Sequence, residues 1–269
     1  MKKILIAFLC FLSIGLSQSK PVVGIGEILY NGRNQSAYRT ELESRLVATN
    51  KFDIIERQRL NDILKEQGLG MSGIVDGSGK IGGIGGVDYL IYGQITSFTT
   101  KKIKDSDYYK VKGKLSIKVV DVQTGKIVIS KIVSEDETDD DTDKAAVDIR
   151  KGLTKKIAKY VALQIFPIKV AQKQGDLVYI NYGKIMISSN GAYEVFKMGG
   201  GFKDPDTGEI IGAQKTYIGL VDIDKREEKY STGKIVHSLQ PIEIGDQLQN
   251  ISSRKYKNFQ KKYKLGKYK

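Results

Sequence analysis

Four groups of residues have types and spacings that could do chemistry. Gly77, Gly79 and Gly82 satisfy GxGxxG, the pattern in which a glycine-rich turn brings backbone close to a pyrophosphate at a helix N-terminus. That use needs a strand before the turn, a helix after it and an acid about 20 residues further on. Here the strand-like run GVDYLI follows almost at once from Gly86, so no nucleotide is expected. Between Glu135 and Asp143 seven of nine residues are acidic. They would suffice for a calcium ion if a loop folded them inward, but the glycine and terminal glutamate of an EF-hand loop are missing. The other reading is a solvated loop whose last acids favour the start of a following helix. His237, the only histidine, lies in KIVHSL beside Ser238. With no GxSxG elbow to poise a serine, it reads as a strand residue. The last twenty residues carry Arg254 and seven lysines without an acid, interleaved with Tyr256, Phe259, Tyr263 and Tyr268. That mixture suits stacking on nucleic acid or adsorption to an anionic envelope surface. Catalytic, cofactor and metal sites are not expected, and the chain reads as non-enzymatic.

The start of the chain decides between those two partners. Lys2 and Lys3 precede an apolar run from Ile4 to Leu16, short for a membrane span and typical of a secretory signal peptide. Residues 1–19 are therefore read as a cleaved signal, with the mature chain starting between Gln18 and Lys20. Export to the periplasm argues against nucleic acid and for an anionic envelope surface, possible association with the outer membrane, and protein partners. Cys10, the only cysteine, sits inside the apolar run. A mature chain without it has no thiol for a disulfide, a metal or a nucleophile, and Leu9 before it does not suit lipidation. The net charge of +13 resides largely in the basic tail, because the chain without leader and tail is close to balance. The basic excess is accordingly read as a property of the tail rather than of a face of the fold.

The elements that must position these groups follow from periodicity. VVGIG at residues 22–26 reads as a strand. Residues 36–49 read as a helix with Tyr38, Leu42, Leu46 and Val47 on one face and Ser36 as its cap. Phe52, Ile54 and Ile55 form a short strand, and Glu56 and Arg57 open a helix that Leu60, Ile63 and Leu64 would seat on a sheet, with Gly68 and Gly70 ending it. Strands are expected over 88–98, 112–122 and 126–133, the middle one from the alternation of Leu115, Ile117 and Val119. A closing helix over 143–164 presents Val147, Leu153, Ile157, Val161 and Ile165 and stops at Pro167. This order predicts an α/β sandwich over residues 20–166, a mixed sheet covered by helices. Residues 167–249 show short apolar runs between Gly, Asn and Asp, the texture of a small all-β barrel. Residues 250–269 remain as a basic aromatic tail.

Three ordered blocks, NKFDIIERQRLNDILKEQGLGMSG at 50–73, GVDYLIYGQI at 86–95 and DVQTGKIVIS at 121–130, together resemble the periplasmic domain of the curli secretion-channel (CsgG) family. Gly175-Asp176, Ile180-Asn181, Gly183, Tyr193, Val195, Phe196, Thr207 to Glu209 and Gly245-Asp246 resemble the carboxy-terminal domain of the flagellar T-ring protein. The first resemblance implies membrane-inserting hairpins after the strands at 88–98 and 126–133. Residues 99–110 and 134–144 are short and charged where membrane strands need about ten alternating residues with an apolar face, so a secretion pore is not expected. Together the resemblances imply an exported scaffold that stabilises or assembles a trans-envelope machine such as the flagellar basal body, bound to its protein components and forming a homo-oligomer, a ring included. The alternatives are a regulator of peptidoglycan synthesis, of the kind that activates penicillin-binding proteins, and a curli-like secretion component. The residues singled out for contact are Glu56 and Arg57 at the strand–helix junction and Arg254, Lys255, Lys257, Lys261 and Lys262 in the tail.

Overall fold

Alternating apolar residues between Tyr89 and Asp139 build the centre of the first layer. The structure is a computed structural model that describes residues 19–66, 86–188 and 191–263. Strands β1 (Val22–Tyr30), β2 (Arg33–Asn34) and β3 (Asp53–Ile54) and helices α1 (Ser36–Ala48) and α2 (Arg57–Glu66) come first. Next are the long strands β4 (Tyr89–Lys102), β5 (Tyr109–Asp121) and β6 (Ile127–Asp139) and helix α3 (Thr142–Ile165). The sheet runs β2-β1-β4-β5-β6, with β3 also on β1. β1 is parallel to β3 and β4, and the rest is antiparallel. Strand β1 is buried on both faces, as a parallel strand between helices requires.

Helices α1 and α3 cover one face of this sheet, seating Leu42, Leu46, Ile149, Leu153, Ile157 and Val161 over Ile25, Ile91, Leu115 and Ile117. Helix α2 covers part of the other, with Leu60 against Leu90, Tyr92 and Val120. Two glycines set these distances. A Cβ on Gly113 would lie 2.6 Å from Ile149 of α3, and one on Gly24 would lie 3.1 Å from Leu60 of α2. Both faces thus admit their helices only where the strand lacks a side chain.

The strands at 88–98, 112–122 and 126–133 exist but run further. β4 and β5 continue to a tip at residues 103–108, and β6 carries the expected acidic loop as strand, Glu135 to Asp139 lying opposite Gly113 to Tyr109 of β5. Only Asp140 onward turns into α3, whose N-cap is Asp141, accepting from the N–H groups of Asp143 and Lys144. Two helix details also differ. Val47 is exposed, since Leu42 and Leu46 already fill the buried stripe. The N-cap of α1 is Gln35, with no side-chain capping bond, rather than Ser36.

The second sheet comprises β7 (Val170–Gln174), β8 (Leu177–Ile180), β9 (Ala192–Lys203), β10 (Ile210–Arg226), β11 (Ser231–Ser238) and β12 (Gln247–Asn250). Its order is β12-β9-β10-β11-β8-β7. Among the described residues the small all-β barrel expected here stops short of full closure. The sheet rolls until its edges touch at a bridge between Lys169 and Gln247, made by Leu248 N–H donating to Ile168 O and Val170 N–H to Asp246 O, with Gly245 N–H donating to Val170 O beside it. Short edge strands of five and four residues and Pro167, which has no N–H to give, stop a ladder from completing the closure. Helix α4 (Ser253–Tyr263) then packs on this sheet. The two halves share one contiguous apolar core, in which Val178, Ile180, Tyr182, Tyr193 and Ile218 join the residues under α1 and α3.

Candidate interaction surfaces

The strand–helix junction puts Glu56 and Arg57 to local use. A carboxylate oxygen of Glu56 accepts from Arg59 N–H at 3.2 Å, which satisfies one of the free donors at the start of α2. The guanidinium of Arg57 reaches Glu27 on β1 at 3.5 Å and ties the helix to the sheet. Their pairing is not with each other, and both side chains hold the fold at this point.

Where the two halves meet, Phe52 and Phe166 pack edge to face at 5.5 Å. The Tyr182 hydroxyl donates to Phe166 O at 2.7 Å and lies 3.3 Å from Ala162 O. Lys51 lies 4.6 Å over the Tyr182 ring; burial, then the nearby Lys20, lowers its pKa. Burial raises the Tyr182 hydroxyl well above the ordinary tyrosine range. Beside this junction is a cleft of 620 Å³ lined by Lys20, Asn50, Lys51, Asp88, Tyr89 and Asp121, among others. Its two carboxylates serve the backbone. Asp88 accepts from Val22 N–H at 2.7 Å, and Asp121 accepts from the N–H and hydroxyl of Thr124. They are occupied as structural acceptors.

The acidic run is likewise tied down. Asp136 pairs with Lys110 at 2.9 Å, Glu135 with Lys156 and Asp139 with Lys144. The Lys144 ammonium, with the Asp141 N–H, holds the Asp139 carboxyl at about 2. Among the described residues no group of three or more His, Cys, Asp or Glu side chains is placed to hold a metal. His237 sits in β11 across from Leu220 of β10. The GxGxxG glycines at 77–82, Gly68, Gly70, Cys10 and the apolar leader lie outside the described residues.

The basic tail forms helix α4 from Ser253. Tyr256 and Phe259 pack beside Ala192, Leu220 and Ile251, Phe259 stacks near Tyr217 at 5.5 Å, and the Tyr256 hydroxyl reaches Asp222 at 3.3 Å. Burial raises the Asp222 pKa. Lys255 pairs at 2.7 Å with Glu194, whose side chain is only 6% exposed. Of the expected contact residues, Lys255 is therefore engaged within the chain, and the side chains of Arg254, Lys257, Lys261 and Lys262 are on the exposed part of the helix. Tyr256 and Phe259 face inward. Their helical spacing, Tyr256 to Phe259, was the available signal.

Sequence reasoning also missed the part of the first sheet's other face that, among the described residues, α2 leaves uncovered. By register, Lys110, Lys112, Lys114 and Lys118 of β5 share that face with Thr99 and Lys101 of β4 and with Ser130, Ile132 and Ser134 of β6. β6 is the outer strand of the sheet.

Residues 38–154 match the family model described as "Curli production assembly/transport component CsgG". A protein of Neisseria meningitidis serogroup B named "Putative lipoprotein NMB1126/NMB1164" is 29% identical over 104 residues. The match takes in 35% of this chain and 43% of that relative, so the chain spans less than half of the relative's length. Among solved structures, the hypothetical protein CT253 from Chlamydia trachomatis is 11% identical with a TM-score of 0.40, covering 55% of this chain and 99% of that one. Lipoprotein GNA1162 from Neisseria meningitidis is 15% identical with a TM-score of 0.36, covering 54% and 97%. The family match takes in most of α1, β3, α2, the β4-β5-β6 meander and the first half of α3; β1 and β2 of the first sheet precede it, and the second sheet and α4 lie beyond it.

Proposed function

We infer that the chain is a non-enzymatic exported scaffold of the bacterial cell envelope, acting by self-association and by contacts with the components of a trans-envelope machine. The observation that carries this reading is the CsgG family match over residues 38–154, which falls on a sheet with a long open edge. β6 offers thirteen residues with no strand beyond it among the described residues, and Ile127, Val128 and Ile132 are more than half or about half exposed along it. An edge of that length presents unpaired N–H and C=O groups and is a template for another strand. The acids from Glu135 onward restrict that pairing to a partner that tolerates them. The resemblance of the second sheet to the flagellar T-ring protein supports the basal body as one such machine.

Light scattering on detergent-free protein tests the reading, run with the full chain and with a β6 variant, Val128→Lys. A defined oligomer that the variant dissolves, together with co-fractionation with an envelope complex, is the expected result. A monomer that captures no envelope component would overturn it, and stimulation of a purified peptidoglycan synthase would then identify the chain as a regulator of wall synthesis.

A further inference from the structure

We propose that the lysine-bearing face of the first sheet, which no described element beyond α2 covers, is a docking surface for an anionic phospholipid bilayer. The inference stands apart from the scaffold reading, since it concerns what the face adsorbs to rather than what the chain assembles with. It begins with strand register. Successive side chains of a strand alternate between faces, so Lys110, Lys112, Lys114 and Lys118 of β5 all project from one side. Neighbouring lysines of the first three are about 7 Å apart, and the row spans about 27 Å. Across the ladder, Lys101 of β4 lies directly opposite Lys110. Like charges in that position weaken a sheet.

Only Asp136, opposite Lys112 and bonded to Lys110, offsets the row by register. The neighbouring acids Glu135 and Glu137 fall on the helix side of the sheet, where Lys156 of α3 takes Glu135. Among the described residues no ion pair holds Lys112, Lys114 or Lys118, all of which are exposed. A solvated sheet face ordinarily mixes both signs. Here the acids of β6 and the lysines of β5 are segregated, which concentrates one sign on the uncovered side.

The form of the patch selects the partner. The face is presented by three long antiparallel strands. Its cations are all lysines, which act as point charges on phosphate without the fork geometry of arginine. By register its other exposed groups include Gln94, Thr99, Ser130, Ser134 and Thr138, with the apolar side chains of Ile132, 61% exposed, and of Ile127, 51% exposed, at the outer strand. Tyr92, opposite Lys118, is buried under α2 and the half-exposed Tyr108 lies beyond the tip end of the row, so among the described residues no exposed ring sits between the lysines as a stacking platform for bases. A row of lysines with hydroxyls between them matches a plane of phosphate head groups. Each lysine near such a surface contributes about 1 kcal/mol, equivalent to roughly a fivefold change in partition.

The test is sedimentation of the full chain with vesicles of phosphatidylcholine, with and without phosphatidylglycerol. Three proteins are compared: the natural chain, Lys112→Gln/Lys114→Gln/Lys118→Gln, and a charge-matched control, Lys203→Gln/Lys225→Gln/Lys229→Gln. The natural chain should partition to the anionic vesicles only, and added salt should release it. The sheet triple should lose on the order of a hundredfold, the control only a few-fold, and the corresponding lysine-to-arginine triple should retain binding. Melting curves report whether each variant is folded. Equal losses in the two glutamine triples would mean that overall charge, not this face, drives adsorption, and would overturn the proposal. So would equal binding to neutral vesicles, or tighter sheet-triple-sensitive binding to soluble polyphosphate than to vesicles.

Discussion

Replacing Tyr182 with phenylalanine removes one oxygen from the place where the two halves of the chain join. Tyr182 is 1% exposed, so the ring stays packed and the apolar area changes little. What is lost is the 2.7 Å bond to Phe166 O at the end of α3. Ala162 O keeps the bond it already receives from Phe166 N–H at 2.8 Å, whereas Phe166 O has no other such partner among the described residues. A net hydrogen bond is worth about 1 kcal/mol, and a buried acceptor left without one adds about 1–3 kcal/mol. A total of about 2 kcal/mol is expected, because Phe166 is only partly buried. For a chain of this size the melting temperature should fall by about 4–8 °C. Urea denaturation followed by circular dichroism should give a shifted midpoint with an unchanged slope. The natural chain should unfold in one transition, since the apolar core is shared. A loss under about 0.5 kcal/mol would refute the role of the hydroxyl, and two separated transitions in the natural chain would refute the coupling. The pH dependence has a defined sign. The folded hydroxyl titrates above the ordinary tyrosine value of 10.0, so its stabilising effect is complete below pH 10 and is lost as pH rises toward the folded value. Tyr182→Phe should therefore show a shallower loss of stability above pH 10 than the natural chain.

Gly113→Ala should cost about 1–3 kcal/mol, since its Cβ would meet Ile149 at 2.6 Å and overpack the α3 interface; chemical denaturation measures this. Asp141→Ala should cost about 1 kcal/mol through loss of the α3 N-cap, and Asp141→Asn much less. Lys255→Ala should leave the Glu194 carboxylate without its 2.7 Å partner and loosen α4, seen as faster tryptic cleavage at Lys257 and Lys261 with the rest of the chain intact.

The apolar stripes were legible because they repeat within one element. Leu60 on α2 and Leu153, Ile157 and Val161 on α3 fell where periodicity put them. Other features depended on what lay across the fold. The run from Glu135 read as a loop because seven acids repel, yet Lys110 and Lys156 arrive from β5 and α3 to neutralise two of them. A local window cannot register partners 20 or more residues away. The lysine row was written in the sequence as alternation through Lys110, Lys112, Lys114 and Lys118. Summing charge over the body of the chain cancelled it against acids that face elsewhere. The tail was read for its charge, although the spacing of Tyr256 and Phe259 already described a helix with an apolar side. The rolled sheet was expected as a barrel because short strands and turns look alike in either form. Only the edge pairing, reduced to Lys169 and Gln247, separates them.

The shared core separates two ideas of a module that usually coincide. Homology delimits residues 38–154, and the sequence suggests a cut at Pro167, but neither boundary follows the packing. A protein engineer who expressed the first sheet alone would strip Tyr182 from the end of α3 and bare the apolar residues that now meet Val178 and Ile180. A gene fusion that transplanted it would inherit the same wet surface. The heritable segment and the cooperative folding unit are different lengths of this polypeptide, and grafts or truncations should be drawn around the second.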